Sequence, residues 1–271
     1  MAARVCRGAF KRGETRGWPP PGLRNYIRAV TDTETSLLSR LDVPARERLI
    51  VPLDVASHEE AKRLVDELGD AVHFYKLGFE LFLAGDHLAM AGWLRDRGKQ
   101  LFVDLKLFDV PATVAAAVRQ LRRFEARFAT VHGNQSIIEA ACKEKGDTAI
   151  LAVSVLTSLD QDDFADLGVE VSIEQLVLSR ARRVLAYGCD GVISSGVEAR
   201  ALRESLGAGF LVVSPGIRPL EAPDDHKRTV TVEQAFRGGA DYIVVGRPIR
   251  NAPSPKAKAL EIQQEIAALF G

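Results

Sequence analysis

The chain has 271 residues, of which 46% are hydrophobic and 27% charged, and its formal net charge is zero. That composition is ordinary for a globular protein, and no apolar run approaches the roughly 18 residues that a membrane span requires. Residues 1–30 hold seven basic side chains and one acidic one, which leaves a net charge of −6 on the remainder. A body of that sign is not built to track nucleic acid.

Residues 1–45 are predicted to be an extension that is disordered or results from an overcalled start. The run Trp18-Pro19-Pro20-Pro21-Gly22 breaks regular structure, and its flanks are rich in Arg and Thr. An Arg-rich, acid-poor leader is also typical of an organelle transit peptide, which remains the alternative. Within the extension, residues 34–41 could form a short helix.

Residues 46–271 are predicted to form one domain in which eight strands alternate with helices. The strands are short, β-branched and apolar throughout, as expected of strands buried on both faces. They are expected at Leu49–Val55, His73–Gly78, Gln100–Phe108, Phe128–His132, Ala149–Leu156, Gly191–Ser195, Phe210–Ser214 and Tyr242–Gly246.

The helices between the strands are indicated by amphipathic segments and by capping residues. Ser57 is predicted to cap one helix that Gly69 ends, and Pro111 is predicted at the first position of the next. Later helices are expected at Ala112–Phe124, Ser172–Tyr187, Val197–Leu206, Val232–Phe236 and Ala257–Phe270. The alternation predicts an α/β fold, a (β/α)8 TIM barrel, with a doubly wound open sheet as the alternative.

Polar side chains follow nearly every predicted strand, where the active site of such a barrel lies. They are Asp54, Lys76, Asp104 with Lys106, His132, Thr157 with Ser158, Ser195, Arg218 and Arg247. The third strand is the richest, because Asp104 and Lys106 are two residues apart and should face the same side. An alternative is that Asp104 and Lys106 form a structural ion pair, and that the role of Asp109 is limited to capping the following helix.

An anion site is predicted from two loops that contain glycine and arginine. Pro215-Gly216-Ile217-Arg218-Pro219 follows strand seven, and Gly246-Arg247-Pro248 follows strand eight. Barrels of this kind hold phosphate after those two strands, where glycine admits the oxygens and arginine donates hydrogen bonds. The alternative is a surface turn with a solvated arginine.

No metal site is expected, since the five histidines have no ligand spacing. Cys6, Cys142 and Cys189 are isolated in the sequence, which indicates a reducing compartment and predicts a cytoplasmic protein.

Together these pieces resemble the orotidine 5′-phosphate decarboxylase family over roughly residues 48–270. The most specific is the run from Asp104 to Thr113, with the pattern D-x-K-x-x-D-x-P-x-T. It is accompanied in order by Leu53-Asp54-Val55, Tyr75-Lys76-Leu77-Gly78, Leu156-Thr157-Ser158 and the two loops above.

The resemblance implies decarboxylation of orotidine 5′-phosphate to UMP without a cofactor, in pyrimidine nucleotide synthesis. Lys106 would donate the proton to C6, Asp104 would lie beside the substrate carboxylate, and Lys76 would hold Asp104 and the ribose. It further implies a homodimer with shared sites. The remaining roles would be Asp54 on a ribose hydroxyl, Asp109 and Thr113 in the partner's site, Thr157 near the base, and Arg218, Gly246 and Arg247 near the phosphate.

The loop after strand seven departs from the family pattern, because His226 stands where the family usually has glutamine. We expect a functional variant whose substrate binding depends on the protonation of His226. Rival interpretations are a Mg²⁺-dependent phosphosugar barrel, such as a 3-keto-gulonate-6-phosphate decarboxylase or a hexulose-phosphate synthase, and a Schiff-base lyase using Lys106. A non-catalytic nucleotide-binding barrel is a further alternative.

Overall fold

The computed structural model describes residues 37–218 and 229–271 and shows eight parallel strands that close into a barrel. The strands pair in chain order, and β8 returns to pair with β1. Their bounds are β1 Leu49–Pro52, β2 Phe74–Leu77, β3 Gln100–Leu107, β4 Phe128–Val131, β5 Ala149–Val153, β6 Gly191–Ile193, β7 Leu211–Ser214 and β8 Tyr242–Val244. The predicted barrel and all eight predicted strands are therefore confirmed.

Helices cover the outside of the barrel. They are α1 His58–Leu68, α2 Phe79–Leu83, α3 His87–Arg95, α4 Pro111–Leu121, α5 Gln135–Glu144, α6 Gln161–Asp166, α7 Ile173–Ala186, α8 Gly196–Leu206, α9 Val232–Arg237, α10 Arg247–Arg250 and α11 Pro255–Phe270. The predicted caps are confirmed: the Ser57 side chain accepts from the Glu60 N–H, Gly69 ends α1, and Pro111 opens α4. Five helices were not predicted: α2, α3, α5, α6 and α10.

The lumen of the barrel is filled by apolar side chains that alternate with outward-facing ones along each strand. Phe74, Phe128 and Tyr242 meet there, with ring centroids 5.0 to 6.0 Å apart. The outward-facing residues instead pack under the helices in a second, larger apolar cluster. This packed lumen supports the ends of the strands, so the residues that follow them have a rigid base.

Residues 37–45 pack against the N-terminal end of the barrel. Leu41 and Val43 are buried in the lumen cluster, and Arg48 Nη2 donates to the Leu41 carbonyl at 2.8 Å. The short helix predicted over residues 34–41 is wrong for residues 37–41, which form no helix. Burial of Leu41 against the barrel outweighs the local helical pattern.

Candidate active site

A cavity of 290 Å³ opens at the C-terminal ends of the strands. That volume is close to the lower end of the roughly 300–1,000 Å³ found for small-molecule sites. Eight of the polar residues predicted at this mouth line it, and so does Gly246: the eight are Asp54, Lys76, Asp104, Lys106, Thr157, Ser158, Arg218 and Arg247. The structure thus brings together residues from six different strand ends.

Four charged side chains form a chain of ion pairs on the cavity floor. Lys76 Nζ lies 3.5 Å from Asp54 Oδ1 and 3.1 Å from Asp104 Oδ2. Lys106 Nζ lies 2.9 Å from Asp104 Oδ1. The signs alternate along the series Asp54, Lys76, Asp104, Lys106, so two partly buried cations and two carboxylates compensate one another.

The ionisation of this array is set by competition between burial and neighbouring charge. Burial alone would raise the pKa of Asp104, but Lys76, Lys106 and hydrogen bonds from Lys106 and Thr130 lower it to about 2. Burial alone would lower the pKa of Lys76, yet the carboxylates of Asp104 and Asp54 raise it above its usual value. Both groups are therefore charged at neutral pH.

The backbone at Lys106 departs from a regular strand. Between Val103 and Leu107 strand β3 advances four residues while β4 advances only two, from Ala129 to Val131, which is a bulge. Lys106 adopts φ 44°, a left-handed conformation that costs a non-glycine residue on the order of 1–3 kcal/mol. Asp104 and Lys106 do meet as predicted, although through a bulge and not through regular alternation.

Two of the predicted arginines line the same cavity. Arg218 follows β7 and Arg247 begins α10 after β8, and both face the same space as the lysines. The strand-seven loop leaves the barrel through a bridge in which Ile217 pairs with Val230. A cavity lined by these arginines as well as by the charge-balanced array is suited to an anionic ligand.

Two glycines keep space that a side chain would fill. A Cβ on Gly78 would lie 2.8 Å from Asp54 Oδ1 and 3.2 Å from Lys76 Nζ. A Cβ on Gly246 would lie 2.9 Å from Pro52 Cγ. Glycine at these positions allows the charged floor and the strand-eight loop to close around the cavity.

Several predicted residues lie outside this cavity. Asp109 and Thr113 are exposed, and the Asp109 carboxylate accepts from the Val110 N–H at 2.6 Å. His132 packs edge-on against Phe108, and burial lowers its pKa. Ser195 is fully buried and caps α8 through the Val197 N–H. His226 and Pro219 fall outside the described residues.

Sequence reasoning missed two residues of the site. Thr130 on β4 hydrogen-bonds both Asp104 and the Lys106 backbone, but a β-branched residue in a strand carries no functional signal. Arg250 lines the cavity and donates to the Asp54 carbonyl. Its position after Gly-Arg-Pro could have suggested it, had α10 been predicted.

Within residues 37–218 and 229–271, no group of three His, Cys, Asp or Glu side chains could hold a metal ion. Over the same residues, no helix is both long and apolar enough to span a bilayer.

The sequence of this chain is similar to those of known proteins. Residues 47–262 match the model of the orotidine 5′-phosphate decarboxylase / HUMPS family. An orotidine 5′-phosphate decarboxylase of Methylococcus capsulatus is 56% identical over 237 residues, which are 87% of this chain and 98% of the relative. One from Stenotrophomonas maltophilia is 48% identical, covering 85% of this chain and 98% of the relative.

A solved structure is similar as well. The crystal structure of orotidine 5′-phosphate decarboxylase from Lactobacillus acidophilus is 34% identical, with a TM-score of 0.72. The match covers 81% of this chain and 99% of that one. With the family model matching most of its length, the chain belongs to the orotidine 5′-phosphate decarboxylase / HUMPS family.

Proposed function

We propose that this protein decarboxylates orotidine 5′-phosphate to UMP in pyrimidine biosynthesis without a cofactor. The observation that carries the proposal is the alternating array on the cavity floor, which ends in Lys106. Arg218 and Arg247 line the same cavity. The family match and the relatives named above support the same reaction.

Lys106 acts as the proton donor. When the bond from C6 to the carboxylate breaks, CO₂ leaves and the electron pair remains on C6 without a conjugated sink. The Lys106 ammonium stabilises that charge and then transfers a proton to C6, and water restores the lysine. Of its three N–H groups, one is directed to Asp104, and the structure records no other hydrogen bond of this ammonium within the described residues.

Asp104 contributes position and charge. With a pKa of about 2, Asp104 is ionised at neutral pH. The carboxylate of the bound substrate lies beside it. Two like charges about 4 Å apart repel by roughly 1–4 kcal/mol, depending on the effective dielectric. That is a small share of the roughly 8–23 kcal/mol by which enzymes lower barriers, so most of the effect falls to charge stabilisation by Lys106.

The rest of the cavity binds the nucleotide. Arg218, Gly246 and Arg247 hold the phosphate, and His226 adds a donor from the loop after β7. Asp54 and Lys76 hold the ribose, and Thr157 lies near the base. The phosphate is remote from C6, so its binding energy can be used to orient the reacting carbon.

The active unit is a homodimer. Four large apolar side chains on the segments that follow β2 and β3 are 56% to 81% exposed: Phe79, Leu83, Phe108 and Val110. Asp109 and Thr113 lie among them and outside their own cavity. A second copy would cover this apolar surface and receive Asp109 and Thr113 in its own site.

The catalytic unit is residues 46–271, with residues 1–45 as an extension. The described thiols, Cys142 and Cys189, form no disulfide, and a reducing, cytoplasmic location fits them.

The test is loss of substrate absorbance on addition of orotidine 5′-phosphate. Wild type should turn the substrate over, and Lys106→Ala should lower kcat by about 10⁴-fold, since proton donation and charge stabilisation are lost together. Lys143→Ala, at an exposed site on α5, is the matched control and should behave as wild type. A wild type without turnover refutes the proposal.

Two further measurements separate the rivals. A Mg²⁺-dependent phosphosugar barrel would lose activity in EDTA, and we expect no loss. A Schiff-base lyase would be trapped on Lys106 by borohydride and a carbonyl substrate, and we expect no adduct.

A further inference from the structure

Thr130 contacts the two central residues of the site at once. Its hydroxyl accepts from the Lys106 backbone N–H at 2.9 Å and donates to Asp104 Oδ1 at 2.8 Å. The residue is 1% exposed and lies on β4, the strand next to β3. Since the N–H can only donate, the hydroxyl proton is left to point at the carboxylate, so both bonds have a fixed direction.

The bulge explains why a side chain is needed there. In a regular parallel ladder the Lys106 N–H would donate to a β4 carbonyl, but the register shift between Val103 and Leu107 removes that pairing. The Thr130 hydroxyl takes the place of the missing acceptor. It thereby supplies an acceptor to a part-buried N–H at the residue that holds a left-handed φ of 44°.

The same hydroxyl fixes the Asp104 carboxylate. Oδ1 accepts from Lys106 Nζ and from Thr130, while Oδ2 faces Lys76 Nζ at 3.1 Å. With all three donors present, the carboxylate plane cannot turn without losing a hydrogen bond. Without the hydroxyl, the plane is held only by two flexible lysine side chains.

We infer that Thr130 is a positioning residue for the decarboxylation, which holds the Asp104 carboxylate and the Lys106 backbone in the reactive arrangement. The inference rests on the proposed function, because it concerns the geometry of that reaction. It assigns Thr130 no contact with the substrate, since it does not line the cavity. A threonine that only filled strand β4 would be replaceable by valine, which has nearly the same shape.

The experiment compares Thr130→Val, which removes the hydroxyl, with Thr130→Ser, which keeps it. Thr148→Val, at a buried threonine just before β5 on the other end of the barrel, is the matched control. For each variant we would measure kcat and KM for orotidine 5′-phosphate, the affinity for UMP, and the urea midpoint. UMP lacks the carboxylate that faces Asp104, so its affinity reports on the rest of the cavity.

Thr130→Val should lower kcat by about 10- to 100-fold, as expected for reacting groups that lose their alignment, and should leave KM and UMP affinity unchanged. Thr130→Ser should restore most of kcat, and Thr148→Val should retain it. If Thr130→Val does not fold, Thr130→Ala replaces it with the same expected result.

Two results would overturn the positioning role. One is a wild-type kcat in Thr130→Val, and the other is a parallel loss of kcat and UMP affinity that serine fails to restore. Absence of turnover in the wild type would instead refute the proposed function itself, so the two failures are distinguishable.

Discussion

Each end of the barrel buries a carboxylate among cations, with different partners. At the C-terminal end Asp104 pairs with Lys76 and Lys106 beside an open cavity. At the N-terminal end Asp241 accepts from Arg203 at 2.6 Å and from Ser39 at 2.5 Å. Asp241 is 2% exposed, and residues 37–43 pack over that end.

The cations at the two ends are used differently. Arg203 also donates to the carbonyls of Gly239 and Phe210, and Arg48 donates to those of Leu41 and Asp241. These hydrogen bonds are directed to the protein backbone, whereas Lys106 lines a cavity and its ammonium is bonded to Asp104. Both ends therefore pair a buried carboxylate with a cation. At the N-terminal end the cation is an arginine that also binds the backbone and stabilises the fold, and at the C-terminal end it is a lysine that faces the ligand cavity.

The largest expected effect that separates the two ends is on activity. Asp104→Asn should lower kcat/KM by about 10³-fold, because Lys106 loses its anchor and the substrate carboxylate loses a repelling charge. Steady-state kinetics with orotidine 5′-phosphate measure this. Asp147→Asn, at an exposed site near the other end, should leave kcat/KM unchanged. Full activity in Asp104→Asn would show that Asp104, like Asp241, has a structural role and no part in catalysis.

At the N-terminal end we expect a mutation to lower stability and to leave activity unchanged. Arg203→Met leaves the Asp241 carboxylate buried without its cation and should lower the free energy of unfolding by about 3–5 kcal/mol. The kcat of the folded fraction should stay at the wild-type value. Urea unfolding and kinetics on the same sample measure both quantities.

The control for this variant lies on the same helix. Arg200→Met removes an exposed pair with Glu204 one turn away and should cost at most about 0.5 kcal/mol. Equal losses in the two variants would mean that burial of the Asp241 network adds nothing to stability.

The fold was predictable because each strand is a short apolar run, and burial on both faces leaves that pattern in the sequence. The cavity end was predictable in outline, since polar residues such as Asp54 and Lys76 interrupt those runs where strands end. The predicted strands ran too long there: β1 ends at Pro52, and the following residues leave the ladder to line the cavity.

The features of the site that the sequence could not predict depend on the register between strands β3 and β4. Periodicity predicts that Asp104 and Lys106 share a face, but it contains no sign of two extra residues in β3 or of φ 44° at Lys106. The role of Thr130 follows from that bulge and was missed with it. Likewise Ser39 bonds Asp241, 202 residues away, which no local pattern records.

A smaller effect is expected on the free energy of unfolding when the pH is lowered. The pKa of Asp104 is about 2 in the folded protein and roughly 3.9 in an unfolded chain, so its ionised form stabilises the fold. That stabilisation, about 2.6 kcal/mol for a difference of roughly 1.9 pKa units, is complete above about pH 5 and is lost as pH falls through the folded pKa. The difference in unfolding free energy between wild type and Asp104→Asn should shrink accordingly. A constant difference down to about pH 2 would contradict the depressed pKa.

The smallest expected effect concerns where the folded unit begins. Ser39 lies in the stretch that sequence alone assigns to an extension, yet its hydroxyl donates to the buried Asp241 carboxylate. Ser39→Ala should lower the free energy of unfolding by about 1.5 kcal/mol, the usual size for a hydrogen bond to a charged group, and leave kcat unchanged. Ser205→Ala, at an exposed position on α8, should change neither. A measurable loss in Ser39→Ala alone would move the start of the catalytic unit from residue 46 to before residue 39. Unchanged stability would show that the Ser39 hydrogen bond adds nothing, and that burial of Leu41 and Val43 is what holds residues 37–43 against this end of the barrel.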